Sequence, residues 1–114
     1  MKENKLSELS MAFSVDIINL VKYLKSNHES IISNQIGRSG TSIGANIHEA
    51  QYAQGKKDFI SKLEIALKEC SESEYWLELL IESGYYEDKR ILEQCVEIKK
   101  LLISSINTAK NNLR

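Results

Sequence analysis

Apolar residues recur along this chain every three or four positions, in four blocks, the period of helices that each bury one face. In the first block, about Leu6 to Leu24, the residues Leu6, Phe13, Ile17, Leu20, Val21 and Leu24 share a face, with Asp16 and Lys22 off it. The second runs from about Glu29 to Ala53, with Ile32, Ile36, Ile43, Ile47 and Ala50 on its stripe. Between them, Ser26-Asn27-His28-Glu29 stops one helix and can cap the next as a capping box. Gly55 ends the second helix. The third block, about Lys57 to Ser83, turns Phe59, Leu63, Ala66, Cys70, Leu77 and Ile81 inward and stops at Gly84. The fourth, about Glu87 to Leu113, turns Ile91, Cys95, Ile98, Leu102, Ser105 and Ala109 inward. Short connections make neighbouring helices antiparallel. The pattern predicts one all-α domain over residues 1–114, an up-down-up-down four-helix bundle.

Composition sharpens this picture. None of the 114 residues is proline and only five are glycine. A many-turned β-sandwich or barrel is therefore excluded, and long uninterrupted elements are favoured. The 42% hydrophobic content is too high for a disordered chain.

Two features exceed what a solitary bundle needs. Apolar residues lie off the core faces: Ile65, Trp76 and Leu79 on the third helix, and Leu92, Val96 and Ile103 on the fourth. They predict a second buried surface, which in one small chain means a homo-oligomer, with Trp76 as an anchor. Three glycines, Gly37, Gly40 and Gly44, also sit inside the second helix. Each costs about 1 kcal/mol against alanine. Their shared flank predicts close backbone approach by another helix, by the same geometry as small-residue contacts in membranes.

The formal net charge is −1, but it is unevenly spread. Residues 1–57 sum to +2, residues 58–97 to −7, and residues 98–114 to +4 through Lys99, Lys100, Lys110 and Arg114. Two readings of the basic end are open: complementing a helix dipole, or contacting a polyanion. Arg38 projects away from the core, where it could join an interface or line a pore with Lys22 and Lys25.

Chemical signatures are sparse. The glycine stretch lacks the Gly-Lys-Ser/Thr ending and the strand of a phosphate loop. No Glu-x-x-His pair marks a di-iron bundle, and the two cysteines and two histidines lack zinc spacing. No catalytic residue, cofactor or metal ligand is expected. Glu74 falls on the core side of the third helix beside Ser73, while Ser39, Asn46 and Glu49 lie on one flank of the second. A buried polar network of Ser39, Asn46, Glu49 and Glu74 is expected, with a polar ligand pocket as the alternative. Cys70 and Cys95 read as buried structural thiols. A hairpin turning near Tyr85 sets Cys70 opposite Lys100, leaving Cys95 roughly 7–8 Å away along the axis and out of disulfide reach. Without a signal peptide or transmembrane run, a reduced cytoplasmic location with no membrane contact fits.

The run from Arg38 to Ala50, Arg-Ser-Gly-Thr-Ser-Ile-Gly-Ala-Asn-Ile-His-Glu-Ala, resembles the signature of the four-helix-bundle proteins encoded in intervening sequences of bacterial 23S rRNA genes. The stretch from Asp58 to Glu69, followed by Glu74-Tyr75-Trp76-Leu77, resembles the same family's third helix. The match falls on scaffold positions: Gly44, Ala45, Asn46, Glu49 and Glu74. The resemblance implies a homopentameric, ring-like barrel of bundles. It also brings in the similar accessory variability determinant of diversity-generating retroelements, which works with a reverse transcriptase and binds nucleic acid through a basic surface. The expected function is a non-enzymatic oligomeric scaffold, or a binder of structured RNA or of a nucleic-acid-processing partner. In that role Arg38, Lys99, Lys100, Lys110 and Arg114 would meet phosphates. The alternative is a protein-interaction module without nucleic-acid contact.

Overall fold

The computed structural model describes residues 2–113, with side chains from Lys5 onward. Four helices follow one another: α1 (Lys2–Ser26), α2 (Ile31–Ala50), α3 (Lys56–Glu82) and α4 (Arg90–Asn111). No strand occurs among the described residues. Each helix packs on the next and α4 returns to α1, closing a four-cornered bundle 49 Å long and 20 Å across.

The periodic apolar faces meet on the bundle axis. Phe13, Ile17, Leu24, Ile36, Ile43, Leu63, Leu77, Ile98 and Leu102 are fully buried. Burying each such side chain is worth roughly 1.5–3 kcal/mol. Ile60, Leu80 and Ile106 join them, beyond the positions expected from the sequence. The seams between helices are unequally tied. α2 and α3 share a buried Ser73 Oγ to Ser39 Oγ hydrogen bond of 2.9 Å, Arg38 bonds to Glu69 and Glu72, and Lys62 meets Glu49 at 3.5 Å. α1 and α4 are joined by Gln94 Nε2 donating to Asp16 at 3.1 Å, and α1 also meets the segment leading into α4 through an edge-to-face pair of Tyr23 and Tyr86.

The turn after α1 departs from the expected capping box. Ser26 is still helical, so it cannot cap α2; its hydroxyl and the Asn27 amide bond back to the Tyr23 carbonyl. The chain then reverses at His28, with φ 64°. The His28 N–H reaches the Lys25 carbonyl and the Glu29 N–H the Leu24 carbonyl, a Schellman closure. Glu29 does the capping alone. Its carboxylate accepts from the N–H groups of Ile31 (3.1 Å), Ile32 (3.0 Å) and Ser33 (2.7 Å). Gly84, at φ 82°, closes α3 by the same Schellman pattern. A left-handed backbone costs a non-glycine residue about 1–2 kcal/mol. His28→Gly is therefore expected to stabilise the protein by about 1 kcal/mol, read as a rise in the urea midpoint at unchanged m value.

Two boundaries also shift. α2 stops at Ala50, so Gly55 does not end it but precedes α3. α4 begins at Arg90 rather than Glu87, its first N–H taken by the Asp88 carboxylate at 2.9 Å. This second shift overturns the predicted offset of the cysteines. α3 runs roughly three turns past Cys70, whereas α4 begins little more than one turn before Cys95. The connection 83–89 descends along the bundle to make up the difference. Cys70 and Cys95 consequently face each other, Sγ to Sγ at 3.6 Å. Both are free, buried thiols, each donating to the other's carbonyl at 3.3 and 3.4 Å. The hydrogen bond with Cys70 and burial hold the Cys95 thiol far above its ordinary range, which disfavours its thiolate.

Candidate functional site

The α2 glycines all face α1. A Cβ at Gly40 would lie 2.9 Å from Ile17 Cγ1 and 3.0 Å from its Cγ2. At Gly37 it would lie 3.3 Å from Val21 Cγ2, and at Gly44 3.3 Å from Ser14 Oγ. The interior cost of three glycines is thus offset by bringing α1 and α2 together along about two turns.

The expected polar network is not one network. Ser39 pairs with Ser73 in the α2–α3 seam. Asn46 donates to the Ser42 carbonyl in its own helix at 2.9 Å. Glu49 is exposed and near Lys62, and Glu74, only half-buried, accepts from Lys99 Nζ at 2.7 Å on the other side of α3. Helical rotation explains the split: Glu74 leans toward α4, while Asn46 and Glu49 lie on the outer flank of α2.

The expected phosphate contacts are largely neutralised. Arg38 spans Glu69 and Glu72. Lys99 is held by Glu74, whose hydrogen bond raises the ammonium pKa, and Lys110 meets Glu64 at 2.9 Å. Lys100 is exposed on α4, and Arg114 lies outside the described residues. These groups do not converge on one patch. The sequence shows the acids that bind them, but the pairing depends on helix register.

Among the expected interface residues, Trp76 is not a free anchor. It rests on the core and its Nε1 donates to Glu72 at 3.0 Å. Leu79, Leu92 and Val96 are half-buried; Ile65 and Ile103 are exposed. With Trp76 turned to α2, Ile65 and Trp76 lie along the α2–α3 side, whereas Leu92, Val96 and Ile103 form a row on the α3–α4 side.

A stronger apolar stripe lies on α1, where sequence reasoning did not look. Met11, Val15 and Ile18 are 68%, 50% and 49% exposed. Their spacing of four and then three residues was the available signal. Beside Met11 runs a groove of ≈ 520 Å³ between α1 and α2, bounded by Ser14, Thr41, Gly44, Ala45 and His48. Apolar knobs on α1 thus adjoin a groove bounded by small residues.

Among the described residues no cluster of three or more His, Cys, Asp or Glu side chains is placed to hold a metal ion. None of the described helices is long and apolar enough to cross a membrane.

Comparison with known proteins follows the same outline. Among curated proteins none matches the chain. A crystal structure from Bacteroides thetaiotaomicron, described as a protein with unknown function from the S23 ribosomal protein family, is similar at 52% identity and a TM-score of 0.90. The alignment covers 94% of this chain and 99% of that one. The family of the 23S rRNA-intervening sequence protein matches residues 2–104. A four-helix bundle, its near-complete overlay on a relative sharing half its residues, and that match together place the chain in the 23S rRNA-intervening sequence protein family.

Proposed function

We propose that this protein is a self-assembling helical scaffold whose copies meet head to tail. The observation that carries this reading is the exposed Met11–Val15–Ile18 stripe beside the α1–α2 groove. The row of Leu92, Val96 and Ile103 is on the opposite side of the bundle, since α1–α2 and α3–α4 are opposite sides of the square. Two different apolar faces on opposite sides favour a heterologous contact, which closes into a ring when the rotation allows. The fivefold barrel implied by family resemblance is one such ring. A side of the bundle measures 49 by 20 Å, on the order of 1,000 Å². That accommodates the ≈ 800 Å² per partner of a stable interface.

Sedimentation at micromolar concentration tests this. Wild-type protein is expected to be oligomeric, and Val15→Asp and Ile103→Asp each to give smaller species. Mixing the two variants leaves one intact pair of faces and should yield a heterodimer. A monomeric wild type, or no dimer on mixing, overturns the reading.

In this scaffold, direct RNA contact is secondary, because Arg38, Lys99 and Lys110 are engaged by carboxylates. Filter binding to structured RNA across a salt series separates the two roles. A steep salt dependence removed by reversing Lys99, Lys100 and Lys110 would favour a nucleic-acid binder instead.

A further inference from the structure

Where α1 ends and α4 begins, a cleft of ≈ 440 Å³ opens that neither the core nor the proposed assembly uses. This volume lies in the range of small-ligand pockets. Its floor is apolar, from the buried Leu20 and Ile91. Tyr23 and Tyr86 form one wall, their rings edge to face with centroids 6.0 Å apart. The descending connection 83–89 puts Tyr86 there.

The polar groups are unbalanced. Among the described residues Arg90 is the one cationic side chain lining the cleft, and Asp88 occupies it: Nε donates to both carboxylate oxygens at 3.1 and 2.9 Å, and Nη2 to Oδ2 at 2.6 Å. Asp16 has no such partner among the described residues. Its carboxylate accepts the Gln94 amide hydrogen at 3.1 Å and forms no ion pair with them. The Gln94 Oε1 is itself buried without a donor among the described residues. Burial, followed by the Asp88 carboxylate, raises the Tyr86 hydroxyl above its ordinary range, with Arg90 opposing and Asp16 adding a weaker push. The lining itself carries two carboxylates, Asp16 and Asp88, against the one guanidinium of Arg90, a net negative charge. A carboxylate with no cationic partner among the described residues, an orphaned amide oxygen, aromatic rings and an apolar floor together suit a ligand with a positive head and an apolar stem. A bare metal ion would need several oxygen ligands at once, and no such group converges among the described residues.

We propose that this cleft binds an organic cation, an ammonium or guanidinium on a short apolar stem, with Asp16 as its counter-ion. The head sits against Asp16 and the tyrosine rings, and the stem lies over Leu20 and Ile91. The same chemistry is carried by a free amine and by a basic side chain of another protein, so two probes are needed.

Titration of the ¹⁵N-labelled protein with agmatine, and separately with the peptide acetyl-Gly-Arg-Gly-amide, provides the test. Saturable shifts confined to the amides of residues 16–23 and 86–94 are expected. Binding of agmatine alone identifies a free amine as the source, and binding of the peptide identifies a side chain. Asp16→Asn should weaken binding about tenfold, the loss of one charge-assisted contact. Arg90→Gln, at an exposed position, should tighten it, because Asp88 is released to serve as a second counter-ion. No shifts with either probe at millimolar concentration would overturn the proposal. So would affinity unchanged in Asp16→Asn, unchanged or weaker affinity in Arg90→Gln, or inorganic phosphate moving the same amides.

Discussion

Gly40→Val is expected to destabilise the bundle by about 3 kcal/mol or more, the upper range of overpacking costs. The cause is specific. Ile17 is fully buried, and both of its γ carbons lie at or inside 3.0 Å of the position a Cβ would take. A β-branched side chain cannot rotate both away, since each staggered rotamer returns a γ carbon to the contact. The backbones of α1 and α2 must separate instead, loosening Gly37 and Gly44 with them. Even Gly40→Ala should lose stability, although alanine favours a helix by about 1 kcal/mol. The sign should invert when Ile17 is Ala, because the clash is gone and the propensity gain remains. Urea denaturation of the double-mutant cycle checks this, and additivity within about 0.5 kcal/mol would show that the pair does not interact. Gly37→Ala and Gly44→Ala meet single side-chain atoms at 3.3 Å and should be nearly neutral.

Glu29→Ala is expected to cost about 2–3 kcal/mol, more than an ordinary cap, because one charged group satisfies three backbone donors. Glu29 is 7% exposed, so water does not readily take over its role. Its charge also sits at the positive end of the α2 dipole. Glu29→Gln keeps an acceptor but turns its amide hydrogens toward a donor, and should lose about half as much. Thermal unfolding reads both variants, at about 4 °C per kcal/mol for a chain of this size. A midpoint within a degree of wild type for Glu29→Ala would mean that Ser30 had replaced it as the cap.

Helix number, order and most of each core face were readable because they follow from a local period; at the end of α3, where Ile81 was expected inward, Leu80 is the buried residue and Ile81 is only half-buried. Leu6, Ile17, Ile43, Leu63 and Ile98 could not be moved to another face without exposing the rest of their stripes. The α3–α4 register was not readable, because it depends on the path of residues 83–89, which have no period. That one uncertainty misplaced Cys95 relative to Cys70. Arg38 and Lys110 looked available for phosphate because their distant acidic partners, Glu69 and Glu64, are identified only after helices are set side by side. The α1 stripe was present in the sequence but lay on the helix whose core face accounted for most of its apolar residues. The cation cleft required Tyr86, whose position also depends on the path after Gly84.

The uneven seams determine how the molecule breathes. Serine, arginine and lysine contacts make α2–α3 a spine, whereas α1 is linked more sparsely to α4 by Asp16 and Gln94 and to the segment before α4 by the Tyr23–Tyr86 pair. Sub-global opening should therefore begin along the α1–α4 seam, with the α1–α2 and α3–α4 hairpins parting like the covers of a book. The opened edge then exposes the inner apolar faces of α1 and α4 to a second chain while α2 and α3 stay joined.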